Sequence, residues 1–208
     1  MRWQYWLRIA LRNLGSILLA STIYSTLLCL MNSDFIFPDV PTLWPLCVVL
    51  FGGFMQLFYG ITLLRSVTNL ALSMGETRRG AFLGLILATL VPALGSALLA
   101  AMVAALADYL GAEQMLPLGS QLSLTIGFGL LLSAVGLLIA MIQHRFGNIA
   151  GVLVAVAAVV LGMGVSMAAG FGLLDPILGW GVLLAGAVCY GIVLIPLRRT
   201  VYRFAVKL

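Results

Sequence analysis

Charge is scarce in this chain. Only 8% of its 208 residues are Asp, Glu, Lys or Arg, where a soluble domain carries about 25%. With 63% hydrophobic residues and a mean hydropathy of +1.18, it holds more apolar surface than a soluble core can absorb. The few charges also avoid the apolar runs: every Asp, Glu, Arg and Lys falls at or beyond the end of one. Ion-coupled carriers and proton pumps need ionisable groups near the membrane midplane, so that class is excluded. Histidine is nearly absent. The single His144 sits at the end of one run, whereas Ser166, within Gly164-Val165-Ser166-Met167, falls well inside the next. A serine nucleophile there has no base at hand, and Gly and Ser in such a run are ordinarily packing residues. There is no pair of buried carboxylates, no H-E-x-x-H and no glycine-rich phosphate loop. The expectation is a chain with no catalytic residues, unable to hydrolyse a nucleotide alone. Cysteine is sparse too: Cys29, Cys47 and Cys189 all lie in apolar segments, without metal-ligand spacing, so no metal is expected. Cys29 and Cys47 fall at similar depth, and both a bridge and small apolar packing fit them, packing being the commoner role.

What remains is apolar runs. A membrane helix needs about 20 residues to cross roughly 30 Å of hydrocarbon, and six candidates qualify: 14–31, 43–64, 81–105, 121–142, 149–173 and 177–197. The pieces between them are too short for a soluble domain. The expected architecture is therefore an all-α membrane protein, with residues 1–13 as an interfacial amphipathic segment and 14–208 as a single six-helix transmembrane domain. The first run is longer than the 7–15 apolar residues of a secretory signal and no A-x-A-like cleavage site follows it, so it is expected to be retained.

Cations set the orientation, because Lys and Arg of short loops stay on the cytoplasmic side. Arg2, Arg8 and Arg12 precede span one; Arg65, Arg78 and Arg79 lie between spans two and three; Arg145 follows span four; Arg198, Arg199, Arg203 and Lys207 follow span six. All eleven share one side, joined only by Glu76, while Asp34, Asp39, Asp108, Glu113 and Asp175 occupy the opposite loops. Adding or removing one span would scramble this partition. Both termini are thus expected in the cytoplasm. The net charge of +5 hugs span ends and forms no separate basic stripe, which speaks for contacts to anionic membrane lipid and against nucleic acid.

Along the chain, Trp3, Tyr5, Trp6, Leu7, Ile9 and Leu11 interleave with Arg2, Arg8 and Arg12. Aromatic and basic residues favour the headgroup layer, so this stretch reads as a segment lying on the inner leaflet or, as an alternative, an aromatic belt at the foot of a longer first helix. Span one carries Ser16, Ser21, Thr22, Tyr24, Ser25 and Thr26, and span two adds Gln56, Tyr59 and Thr62; such groups need partners within a bundle or cavity. Pro92 should kink span three. Ala93, Ala97, Ala101 and Ala105, and in span five Ala158, Gly162, Ser166 and Gly170 beside Gly164, Ala168 and Gly172, form small-residue stripes for close helix packing. No internal repeat marks two inverted halves.

One loop is distinctive. Between spans two and three, Thr68 or Asn69 is placed to cap a short helix through Met74, Gly75 to end it and Thr77 to cap span three, leaving Leu70, Leu72 and Met74 as apolar candidates facing the cytoplasm. Leu72-Ser73-Met74-Gly75, Thr77-Arg78-Arg79 and Phe82-Leu83-Gly84 resemble the corresponding loop of small bacterial permeases in the type-2 ATP-binding-cassette (ABC) exporter superfamily. In that family the loop is the coupling helix that fits a groove on the ATPase. The resemblance implies an ATPase-coupling set of Leu70, Leu72, Ser73, Met74, Gly75, Glu76, Thr77, Arg78, Arg79 and Phe82. It also implies a cytoplasmic ABC ATPase subunit as partner, a second copy or homologue of the permease, ATP and Mg bound by the ATPase and no cofactor on this chain, residence in the bacterial inner membrane, and outward movement of a hydrophobic or amphipathic cargo. Thr22, Tyr24, Ser25, Gln56 and Tyr59 are the candidates for the substrate path. Larger relatives carry re-entrant helices between spans five and six, where this chain has a short link around Asp175-Pro176, and Glu76 is an acid in a basic loop. Three other readings compete: a basic turn that only keeps spans oriented, a non-transport membrane module, an assembly factor or sensor subunit, that docks a cytoplasmic partner, and a membrane enzyme acting through residues set aside above.

Overall fold

The computed structural model describes residues 3–31, 40–109, 111, 117–147, 149, 156 and 176–203. Among these residues the regular structure is entirely helical: α1 (Trp3–Met31), α2 (Val40–Thr62), a π-helical turn (Leu63–Val67), α3 (Thr68–Ser73), α4 (Arg78–Tyr109), α5 (Leu118–Phe146) and α6 (Pro176–Arg203). Three stretches, Arg78–Leu106, Leu118–Phe146 and Gly179–Arg203, are long and apolar enough to cross a membrane. They coincide with expected spans three, four and six. Val48–Thr62 is a shorter apolar stretch within α2. Expected spans one and two fall in α1 and α2, and the fifth lies outside the described residues except for Ile149 and Val156.

α1 runs unbroken from Trp3 through Asn13 to Met31. The cause is its inner face. Trp6, Ala10, Asn13 and Ile17 recur at helical spacing and all are buried, so packing holds the helix across the point where composition changes. Trp6 is no headgroup anchor: its indole fills the space over Gly84 of α4, where any Cβ would overlap the ring. The helix is continuous as the alternative has it, but Trp6 is buried against α4 and forms no part of an outward aromatic belt.

The alanine stripe of α4 also needs correction. Ala93, Ala97, Ala100 and Ala104 are the buried set, whereas Ala101 is half-buried and Ala105 exposed. A strict four-residue step turns 400°, so the stripe drifts about 40° per step, and alternating steps of four and three keep it on one face. The helix continues through Pro92 to Tyr109.

Glycines set the closest crossings. At α2–α5, a Cβ on Gly60 would lie 3.0 Å from the Ser133 carbonyl and 3.0 Å from the Leu137 amide, and one on Gly136 would overlap the Leu57 carbonyl. At α5–α6, Gly127 meets the backbone of Leu183, and Gly179 stands 2.9 Å from the Ser120 carbonyl by the same measure. Without a hydrophobic drive between helices in lipid, such backbone approach is what holds them together.

Polar side chains are buried among the apolar core, while large apolar side chains face outward. Gln56, Thr89, Ser96, Ser123, Thr125 and Ser133 are buried. Ser133 Oγ donates to Gln56 Oε1 across α2–α5 at 2.9 Å, the Thr89 and Tyr190 hydroxyls join α4 to α6, and Ser96, Ser123 and Thr125 donate to carbonyls of their own helices. Meanwhile Trp180, Leu184, Val188, Ile192 and Ile195 line an exposed face of α6. The Gln56 amide nitrogen, both Asn13 side-chain polar atoms and the Trp6 indole nitrogen are buried without a partner; the outward apolar face of α6 and the inward polar groups together are consistent with a membrane protein, whose solvent is hydrocarbon.

Candidate functional site

The candidate site is the end of the bundle where α3 turns into α4. It is not built as a free-standing helix. Thr68 does not cap a new start, since its flanking residues are already helical. Instead α2 passes through the π-helical turn directly into α3, and the Leu63 carbonyl accepts both the Thr68 backbone N–H and, at 3.1 Å, the Thr68 hydroxyl. The wide turn re-aims the chain without breaking it. Sequence alone gave no signal for it, because a π turn changes one hydrogen-bond step and leaves hydropathy untouched.

The stop and restart fall where expected. Gly75 adopts φ +82°, its N–H donates to the Leu72 carbonyl, and the Glu76 N–H reaches the Ala71 carbonyl, both at 3.0 Å. This is a Schellman stop, and the left-handed residue in it favours glycine. Two residues on, Thr77 Oγ1 accepts the Gly80 N–H at 3.1 Å, the N-cap of α4. The Glu76 carboxylate lies over Gly80, next to the positive end of α4 where an acid is favoured. That accounts physically for the one acid of this loop.

Around this turn the expected coupling residues separate by exposure. Leu70 and Met74 are exposed; Leu72 and Phe82 pack against the main core cluster; Ser73, Arg78 and Arg79 are exposed, and the Ser73 hydroxyl donates to the Leu70 carbonyl at 2.8 Å. The apolar group facing outward is therefore Leu70 with Met74, one helical turn apart.

The turn is braced from behind. The Arg78 guanidinium donates to the Tyr202 carbonyl in the last turn of α6, and Phe82 lines a cleft of about 530 Å³ with Leu194, Ile195, Arg198, Arg199 and Tyr202. Arg198 lies 5.7 Å from the centre of the Tyr202 ring. On the other flank, Tyr5 meets Trp6 edge to face at 5.6 Å; burial lifts the Tyr5 phenol above its ordinary 10.0, with the Arg12 guanidinium pulling the other way. Hence the starts of α1 and α4 and the end of α6 meet at one end of the bundle. Arg78 and Trp6 looked like orientation and interface residues in the sequence; their contacts join residues far apart in the chain, which no local pattern could reveal.

No family model, no curated protein and no solved structure matches the chain. The site is therefore read on its own geometry.

The substrate-path candidates have varied surroundings. Gln56 is held between α2 and α5 by Ser133, Tyr59 packs on the main core cluster, and Thr22 donates to the Leu18 carbonyl at 2.8 Å. Tyr24 is exposed, its ring 4.2 Å from that of Phe51. The side chains of Ser25, Cys29 and Cys47 and the whole of Ser166 lie outside the described residues, and Cys189 is exposed on α6.

Proposed function

We propose that this chain is the permease subunit of a bacterial ABC exporter. It would cross the inner membrane six times with both termini in the cytoplasm, pair with a second copy or homologue, and draw on ATP hydrolysed by separate cytoplasmic ATPase subunits. The observation that carries the reading is the turn itself: a stopped and recapped helix end that holds Leu70 and Met74 outward and is tied through Arg78 to the end of α6. A push on Leu70 and Met74 would pass into α4 and α6 as rigid bodies rather than being lost in a slack loop. The cargo path is proposed along polar positions of α1 and α2, Thr22, Tyr24, Ser25, Gln56 and Tyr59, of which Tyr24 is exposed while Gln56 and Tyr59 are packed within the chain. Without charges such a path suits a hydrophobic or amphipathic cargo such as a peptide, drug or lipid. The chain itself would supply no catalytic group, metal or cofactor, the Mg and ATP residing on the partner.

Affinity purification of the full chain from native membranes tests this. The expected product contains a polypeptide with a phosphate-binding glycine-rich loop, two permease chains per complex, and ATP hydrolysis. An active complex without a nucleotide-binding subunit overturns the exporter and favours the docking module, and one with a single permease removes the paired arrangement.

A further inference from the structure

A second groove, between the ends of α5 and α6, has a volume of about 760 Å³ and shares Arg199 with the cleft behind the coupling turn. One part of its lining is apolar, from Leu138, Met141 and Ile142; the other is cationic, from Arg145, Arg199 and Arg203. The apolar residues lie on α5 before the last turn, toward the middle of the helix, whereas Arg145 and Arg203 are in the last turns of α5 and α6 and Arg199 is one turn before Arg203. We propose that this groove seats one anionic phospholipid, its phosphate among the three guanidiniums and an acyl chain along Leu138, Met141 and Ile142.

Charge complementarity selects this occupant. The described acids are Glu76, which lies over Gly80, and Asp108, in the last turn of α4 at the opposite end; neither lines the groove. The ends of α5 and α6 each contribute roughly half a negative charge, which three guanidiniums outweigh. A groove basic at its mouth and apolar behind matches a headgroup with its chain, and basic pockets between membrane helices on the cationic side are suited to such headgroups. A free phosphate would use only the mouth. Each Arg near an anionic headgroup strengthens retention by about 1 kcal/mol, or about fivefold.

The inference rests on the chain residing in a membrane and is independent of transport. Native mass spectrometry of the detergent-purified full chain, titrated with phosphatidylglycerol or phosphatidylcholine of identical acyl chains, measures it. Phosphatidylglycerol should half-saturate at least about tenfold below phosphatidylcholine. Replacing both arginines (Arg199→Gln with Arg203→Gln) should weaken phosphatidylglycerol about 25-fold, whereas Arg199→Lys with Arg203→Lys should keep most of the preference. Arg8→Gln with Arg12→Gln, on exposed positions of α1, should leave it within about twofold. Circular dichroism of each variant confirms that the helices persist. Equal binding of the two lipids overturns the proposal, as does a preference that survives in the glutamine variant. Displacement of the lipid by millimolar inorganic phosphate or by glycerophosphoglycerol, which lacks acyl chains, would make the groove a simple anion site and overturn it equally. Because no ATPase is present, failure of the exporter reading leaves this result unaffected.

Discussion

Replacing Leu70 and Met74 together by Asp probes the coupling turn most directly. The two side chains are 49% and 44% exposed, so about half of each is free for a partner to cover. Full burial of such a side chain is worth about 1.5–3 kcal/mol, which puts the apolar contribution of the pair at about 1.5–3 kcal/mol. Two carboxylates forced into a desolvated contact add to that loss. Even the lower figure would weaken binding of the proposed ATPase partner more than tenfold. The cost to the fold is smaller. Leu→Asp in a helix loses about 0.5 kcal/mol of propensity, and an acid near the C-terminal end of α3 loses about 0.3–1 kcal/mol against the helix dipole. Leu72, which the sequence offered as an equal partner, is unsuited to this test because it packs against the core cluster, and Asp there would confuse docking with folding. The assay titrates purified ATPase onto the immobilised chain and follows export in cells, with circular dichroism as the folding control. A folded double variant whose affinity lies within twofold of the parent and whose export is intact would refute the coupling role and leave a turn that merely orients two helices.

Three further outcomes follow from the same geometry. Single cysteines at Arg78 or Arg145 should react with membrane-impermeant reagent only from the cytoplasm and a cysteine at Asp108 only from outside; outside labelling at Arg78 contradicts the orientation. Gly136→Ala should destabilise by about 1–3 kcal/mol through overlap with the Leu57 carbonyl, while Gly15→Ala, with no atom within 4 Å, should be neutral or slightly stabilising; equal melting temperatures would contradict the crossing. Ser133→Ala should cost about 1–3 kcal/mol by leaving the Gln56 oxygen buried without a donor, and Gln56→Leu in the same chain should recover part of that loss; strict additivity of the two changes would show that they do not interact.

Several features could be read from the sequence because they are local. Gly75 and Thr77 stand in a polar break between two apolar runs, where a Gly can take positive φ to end one helix and a Thr can accept an orphan N–H to start the next, and they do both; the same spacing at Gly60 and Thr62, within an apolar run, stays helical. The long apolar stretches of α4, α5 and α6 were equally plain, because twenty apolar residues have few other uses. Tertiary packing decided the rest. It carried α1 through Asn13 on a face that begins at Trp6, moved the buried alanines of α4 to Ala100 and Ala104, and exposed Leu70 while half-burying Leu72. Each of these depends on which way a helix faces, and in a chain this apolar every face looks alike: hydropathy shows that a helix belongs in lipid, but only the approach of a neighbour, Gly84 against Trp6 or Gly136 against Leu57, determines which side turns inward.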